Sequence, residues 1–262
     1  MKFGIVIPAI LSYVGQKIRT NPNSRQLNVD PYGFNLSTVL GSKGGHTQAN
    51  HNGICRAISQ QLTEAGIRHT GGITDTGCKV IFREAMTPTH NPANITENTK
   101  TTMNSIVADI ALDASSSTSK SLGGQRHIID VKTLAAGQSH QQNPSTVPAS
   151  AANKRQKEVG NHYTNTAKKL DKKLHNTADG VKGPFQRTMD EYNQGKVLGV
   201  VVDFFGATSE HMGQIRDLIA HEKAIKHRQL FNTTYGQAFG FHSHYLNRLW
   251  GTCLQGIGQE SF

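Results

Sequence analysis

Three polar residues stand where apolar strands would bury them: Asp109 in VADIAL, and Asp130 and Lys132 in RHIIDVKT. Side chains two apart on a strand share a face, so Asp130 and Lys132 lie side by side. If the two segments pair as neighbouring strands, Asp109 comes within a few ångströms of Asp130. Two adjacent buried carboxylates repel, and each loses its hydration. A divalent cation resolves both problems, and Mg²⁺ binds through one or two carboxylates together with water and phosphate oxygens. A lysine on the same face can orient a water or stabilise charge growing on a phosphate. The chemistry this set supports is metal-assisted phosphodiester hydrolysis. The ordinary alternative is a same-face acid–amine pair on a solvated strand edge, and D-x-K alone does not separate the two.

The elements that must position these residues follow from periodicity. Residues 47–66 carry Ile54, Ala57, Ile58, Leu62 and Ala65 at helical spacing, with Gly66 as the stop. Strands are expected at 78–85, 105–112 and 126–133, with a polar, Pro-interrupted loop at 86–104 and a Ser/Gly-rich loop before residue 126. A long helix at 149–175 is basic: Lys154, Arg155, Lys157, Lys168, Lys169, Lys172 and Lys173 stand against Glu158 and Asp171. Residues 195–207 contain the most apolar strand, expected to be central because it is apolar on both faces. A helix at 209–225 is expected to be capped by Ser209, with Glu210 in its first turn. The tail from Lys226 reads as helix with glycine interruptions. The order helix, three strands, helix, strand, helix predicts an α/β fold, a mixed central sheet flanked by helices. The chain divides into an N-terminal arm (1–45), one domain (46–225) and a C-terminal helical extension (226–262).

Composition bounds the partners. Over 262 residues the formal net charge is +10, which argues for a polyanion, nucleic acid first and an anionic membrane surface second. The three cysteines are Cys55, Cys78 and Cys253, with no C-x-x-C, so neither a disulfide framework nor a structural zinc site is expected. The opening MKFGIVIPAILSYVG resembles a weak signal sequence. Pro8 interrupts its apolar run and no A-x-A-like site follows, so an intracellular chain, nuclear or cytoplasmic, is expected. No apolar run reaches the length of a membrane span.

The segments VADIAL and HIIDVKT, in this order of elements, resemble the core motif of the PD-(D/E)XK nuclease superfamily, the restriction-endonuclease-like fold. More narrowly, residues 30–225 resemble the endonuclease-like segment that follows reverse transcriptases in some eukaryotic retroelements. DPYGFN, HNGICRAISQQLTEAG, AANKRQKEVGNHY and GVVVDFFGATSE carry that likeness beside the two strands. The resemblance implies a Mg²⁺- or Mn²⁺-dependent endonuclease acting on DNA. Asp109 takes the metal-binding position of the second strand, Asp130 the (D/E) position and Lys132 the lysine. A further acid is expected from the first helix or strand: Glu84 is preferred as an added ligand, and Glu64 is the alternative. Lys157 and Tyr163 are candidates to complete the site from the following helix. With Lys154 and Arg155 they are also the expected nucleic-acid contacts. The superfamily's proline is absent, since Val107-Ala108 precede Asp109.

The remaining signals are bland. AHEKAIKH lacks the H-E-x-x-H spacing, His242 and His244 are too close for a helical pair, and no metal role is expected for His46 or His51. Cys55 reads as core packing on the first helix. Asp203 reads as a strand-end acid capping the next turn. The reading is therefore a metal-dependent DNA endonuclease, of mobile-element type by resemblance and allowed to dimerise. Behind it stand a catalytically inactive nucleic-acid-binding domain that kept the fold, and an interaction protein whose D-x-K is accidental.

Overall fold

Ile54, Ile58 and Leu62 all become buried along one face of helix α1 (Gly45–Ala65), as their spacing requires. The helix ends where Gly66 turns to φ +72° and the Ile67 N–H reaches back to the Leu62 carbonyl at 2.9 Å, the bond pattern of a glycine-terminated helix. The computed structural model describes residues 8–18, 27–29, 45–71, 81–87, 96–134, 148–203 and 207–259. The segment DPYGFN lies outside them, as do the side chains of His46 and Asp203.

Strands β1 (Lys17–Ile18) and β2 (Leu27–Asn28) form a small antiparallel pair. The main sheet is built from β3 (Arg68–Gly71), β4 (Ile110–Asp113), β5 (Arg126–Leu134) and β6 (Val197–Asp203), in that spatial order. β3, β4 and β5 form an antiparallel meander, and β6 joins β5 in parallel. Helix α4 (Pro148–His175) makes the crossover between those parallel strands, as a parallel connection demands. The fold is thus α/β with a mixed four-stranded sheet. One face packs on α1, α6 (Glu210–Leu230) and α7 (Tyr235–Gln259), through Ile58, Leu62, Ile129, Val131, Val200, Ile215, Leu218 and Trp250. The other packs on α4 and α5 (Pro184–Asp190), through Ile128, Val159, Tyr163, Leu170 and Phe185.

Several expectations are corrected. Where the expected strand at 78–85 should end, residues 83–86 form one helical turn, α2 (Arg83–Met86). The first strand of the meander is β3, whose four residues RHTG carry no apolar pattern because the strand is short and half exposed. Within the expected loop at 86–104, Glu97–Asn104 form α3, capped by the Thr96 hydroxyl accepting from the Thr99 N–H at 3.3 Å. Helix α5 was not expected, although Pro184 at its first turn is a start signal. β6 lies at the end of the sheet order and is not central; its apolar faces reflect helices on both sides. The division drawn at 225/226 falls inside α6, and Leu246 and Trp250 of α7 join the same core as α1.

Ser209 stands at the α6 N-cap position but its side chain does not cap the helix. Its hydroxyl donates to the Gly199 carbonyl and accepts from the Val201 N–H, both at 3.0 Å, while its own N–H donates to the Val201 carbonyl at 2.9 Å. Residues 208–209 therefore clamp the outer edge of β6. The α6 N-terminus is satisfied instead from α4, where Asn153 and Gln156 side-chain oxygens accept from the N–H groups of Glu210 and His211 at 2.9 and 3.0 Å. The close approach of α4 to β6 uses Gly199: a Cβ there would lie 3.0 Å from the Gln156 carbonyl oxygen.

Candidate functional site

Asp109 stands one residue before β4, where the register pairs Ile110 with Ile129. Its N–H donates to the Ile129 carbonyl at 3.1 Å, and its Oδ2 accepts from the Val131 N–H at 2.7 Å. The carboxylate thus continues a ladder that the short β4 abandons. The Asp109 N–H goes to Ile129 and not to Asp130, so the register breaks at Asp109, and its carboxylate leaves toward α1 while Asp130 faces α4.

Asp130 lies inside β5 and points to the α4 face, with its side chain only 5% exposed. Oδ1 accepts from the Tyr163 hydroxyl at 2.9 Å. Oδ2 lies 2.7 Å from the Lys132 ammonium, yet it is buried with no aligned hydrogen bond. Burial pushes the Asp130 carboxyl above its usual value; Lys132 opposes this and the charge of Asp109 adds to it. The lysine, 40% exposed, links the buried acid to solvent. Asp130 and Lys132 are therefore not a pair on a solvated strand edge: β5 is an interior strand and its acid is enclosed.

A second group meets Asp109 from α1. His51 Nε2 lies 3.2 Å from Asp109 Oδ2, and His51 Nδ1 lies 3.3 Å from Asn52 Oδ1. Cys55 Sγ is 3.9 Å from each ring nitrogen. The hydrogen bond with Asp109, then that with Cys55, holds the His51 imidazolium well above the ordinary histidine value, although burial works against it. Burial pushes the Cys55 thiol up. Sequence reading gave His51 no role and Cys55 only packing. The signal available was the spacing: residues 51 and 55 are four apart on a helix and so share a face.

Asp130 and Lys132 pair, and the Asp109 carboxylate, bonded to the N–H of Val131, is near enough for its charge to act on Asp130; the expected fourth acid does not join them. Glu84 is exposed on α2, beside Ala85, whose carbonyl accepts from His175 Nε2 at 2.7 Å. His175 is twelve residues along α4 from Tyr163, about 18 Å at the helical rise. The preference for Glu84 as a ligand is therefore corrected: on an exposed turn at the far end of α4, it does not reach the acids. Glu64, the alternative, pairs with Lys223 at 2.7 Å and sits thirteen residues beyond His51, about 20 Å along α1. Tyr163 is corrected in one of its two expected roles. It is buried and bonded to Asp130, so it is not a surface contact for nucleic acid. Lys154, Arg155 and Lys157 are exposed, as are Lys168, Lys169, Lys172 and Lys173. Of the two acids on that helix, Asp171 is buried, accepting from the N–H groups of Phe185 and Gln186 at 2.7 and 3.0 Å. Glu158 is paired with Arg155 at 2.7 Å. The outer face of α4 carries seven exposed cations, of which Arg155 pairs with Glu158 and Lys172 with Asp179.

Among the described residues no helix is long and apolar enough to cross a membrane. No protein-family model matches the chain, and neither a curated protein nor a solved structure does.

Proposed function

We propose that the chain is a metal-dependent endonuclease of the restriction-endonuclease-like class, hydrolysing DNA phosphodiester bonds. The observation that carries this reading is the enclosed Asp130–Lys132 pair on β5, with the Asp109 carboxylate bonded to the N–H of Val131 between them in sequence. The order α1, β3, β4, β5, α4, β6 supports it, being the helix, three strands, helix, strand that the resemblance implies.

Asp109 and Asp130 would hold Mg²⁺ or Mn²⁺. The donors fit such an ion: both are carboxylates, and Asp130 Oδ2 is a buried oxygen with no aligned hydrogen bond. The ion, when bound, would supply positive charge to a phosphate oxygen and lower the pKa of a water. Tyr163 holds the Asp130 carboxyl in one orientation through Oδ1. Lys132, anchored at Asp130 and partly exposed, can turn its ammonium toward a phosphate on which charge develops. The basic outer face of α4 would follow the DNA backbone, binding without sequence preference and weakening steeply with salt.

A second reading is an inactive DNA-binding domain of the same fold. It is favoured by the ion pairs that both acids already make, Asp130 with Lys132 and Asp109 with His51. Nicking of supercoiled plasmid and cutting of branched DNA, with Mg²⁺ or Mn²⁺, separates the two. The nuclease reading expects wild type to cut and Asp130→Asn and Lys132→Ala to bind DNA without cutting. DNA binding by a wild type that never cuts moves the conclusion to the second reading, and no salt-sensitive binding at all overturns both.

A further inference from the structure

We infer that His51, Cys55 and Asp109 form a binding site for a borderline-soft divalent cation of the zinc type, distinct in chemistry from an all-oxygen magnesium site. The donor atoms His51 Nε2, Cys55 Sγ and an Asp109 carboxylate oxygen lie within 4.8 Å of one another. Zinc–nitrogen and zinc–oxygen bonds of about 2.0 Å and a zinc–sulfur bond of about 2.3 Å, set tetrahedrally, separate the donors by roughly 3.3 to 3.5 Å. The nitrogen–oxygen distance here is 3.2 Å and the nitrogen–sulfur distance 3.9 Å. A shift of about 0.4 Å brings the sulfur to bonding separation from the ring nitrogen, and the sulfur starts within 4.8 Å of the carboxylate.

Three further features fit a metal. Cys55 and His51 are one helical turn apart, so a rigid element presents two of the donors. The Asn52 amide oxygen lies 3.3 Å from His51 Nδ1; with the proton on Nδ1 this contact fixes the ring and leaves the Nε2 lone pair for the ion, the usual outer support of a metal-bound histidine. His51 and Asp109 are each about one-fifth exposed, at 21% and 22%, so an ion can enter from solvent and a fourth position is left for water. Nitrogen, thiolate and carboxylate donors together select zinc, cobalt or their neighbours over magnesium, which takes oxygen ligands. On binding, the cation takes the place between His51 Nε2 and Asp109, and the Nε2 proton and the Cys55 thiol proton both leave to solvent. The inference shares Asp109 with the magnesium reading but does not use Asp130 or Lys132, and it stands whether or not the chain cuts DNA.

Cobalt(II) titration of the full chain tests it. The expected result is one cobalt per chain, with a near-ultraviolet thiolate-to-cobalt band and intense tetrahedral visible bands. Zinc should abolish these bands and excess Mg²⁺ should leave them. Both should survive in Asp130→Asn and in the Cys78→Ser/Cys253→Ser double variant, and be lost in Cys55→Ser. Asn52→Ala, which removes the oxygen facing His51 Nδ1, should weaken binding by about 10- to 100-fold. If Cys55→Ser fails to fold, the double variant decides alone, because Cys55 is then the one remaining thiol. A wild type with no thiolate band, a band that persists in Cys55→Ser, or a band lost in the double variant overturns the proposal.

Discussion

Replacing Tyr163 by phenylalanine removes a single oxygen from the interior, and the structure fixes what that oxygen does. The ring is 1% exposed and its hydroxyl donates to Asp130 Oδ1 at 2.9 Å. Phenylalanine keeps the ring's packing against the α4 side of the sheet and opens no large cavity. What is lost is one hydrogen bond to a buried carboxylate whose other oxygen already lacks an aligned one. Hydrogen bonds to charged groups contribute about 1.5 to 3 kcal/mol, and leaving the acceptor unsatisfied puts the cost at the upper part of that range. For a chain of this size the expected fall in Tm is about 3 to 12 °C, from roughly 2 to 4 °C per kcal/mol. The assay is urea and thermal unfolding of wild type, Tyr163→Phe, Asp130→Asn and the double variant. A double-mutant cycle should give a coupling of about 1 kcal/mol or more. Additivity within about 0.3 kcal/mol would show that the hydroxyl does not hold the acid. The account of Asp130 as an oriented, enclosed carboxylate would then fail.

Three other outcomes follow from the same geometry. Asp171→Asn keeps the shape but turns an acceptor into a donor facing the Phe185 and Gln186 N–H groups, so urea unfolding should show a loss of about 2 to 4 kcal/mol. Gly199→Ala drives a methyl group to within 3.0 to 3.2 Å of Gln156 and Val159, and a loss of about 1 to 3 kcal/mol is expected, with α4 displaced from β6 in a crystal structure of the variant. His127 is buried, gives Nε2–H to the Leu122 carbonyl at 2.9 Å, and has no partner for Nδ1. Burial therefore lowers its pKa below 6.5. The folded state favours the neutral ring, so its contribution is complete above pH 6.5 and is lost as pH falls through the depressed folded value. His127→Gln, which keeps a donor for Leu122, should flatten that part of the pH dependence of the urea midpoint.

The sequence carried the long elements well. Helix α1 was legible from Ile54, Ile58 and Leu62, α4 from its run of basic residues, and β5 from IIDV. These are long or strongly patterned, and burial enforces the pattern. β3 was not legible: RHTG is a four-residue edge with one face to solvent, so nothing selects apolar residues there. β6 read as central because both faces are apolar, yet periodicity cannot distinguish an interior strand from an edge strand covered by helices on both sides. At the site, D-x-K led to Asp130 and Lys132, which pair on β5, whereas Asp109, expected opposite Asp130, leaves the register and turns its carboxylate to His51. The fourth acid was misjudged because Glu84 was assigned to a strand aimed at the site, whereas α2 turns it to solvent. His51 and Cys55 were missed for a different reason. Their partner is 54 residues or more along the chain, and one-dimensional spacing shows only that they share a helical face.

The clamp of residues 208–209 on β6 has a consequence beyond the single chain. An edge strand with free N–H and C=O groups is a template on which another strand can grow. Here the Ser209 hydroxyl and backbone occupy the groups of Gly199 and Val201 that an incoming strand would need, and Thr208 bridges Val202. The middle of the β6 edge is thereby closed to an incoming strand. At the other end lies β3, which is short and carries the exposed, charged Arg68, a side chain that discourages growth by charge where β6 prevents it by occupancy. Sheet-to-sheet joining, the commonest accidental route to aggregation for an open α/β sheet, is opposed at both ends by different means.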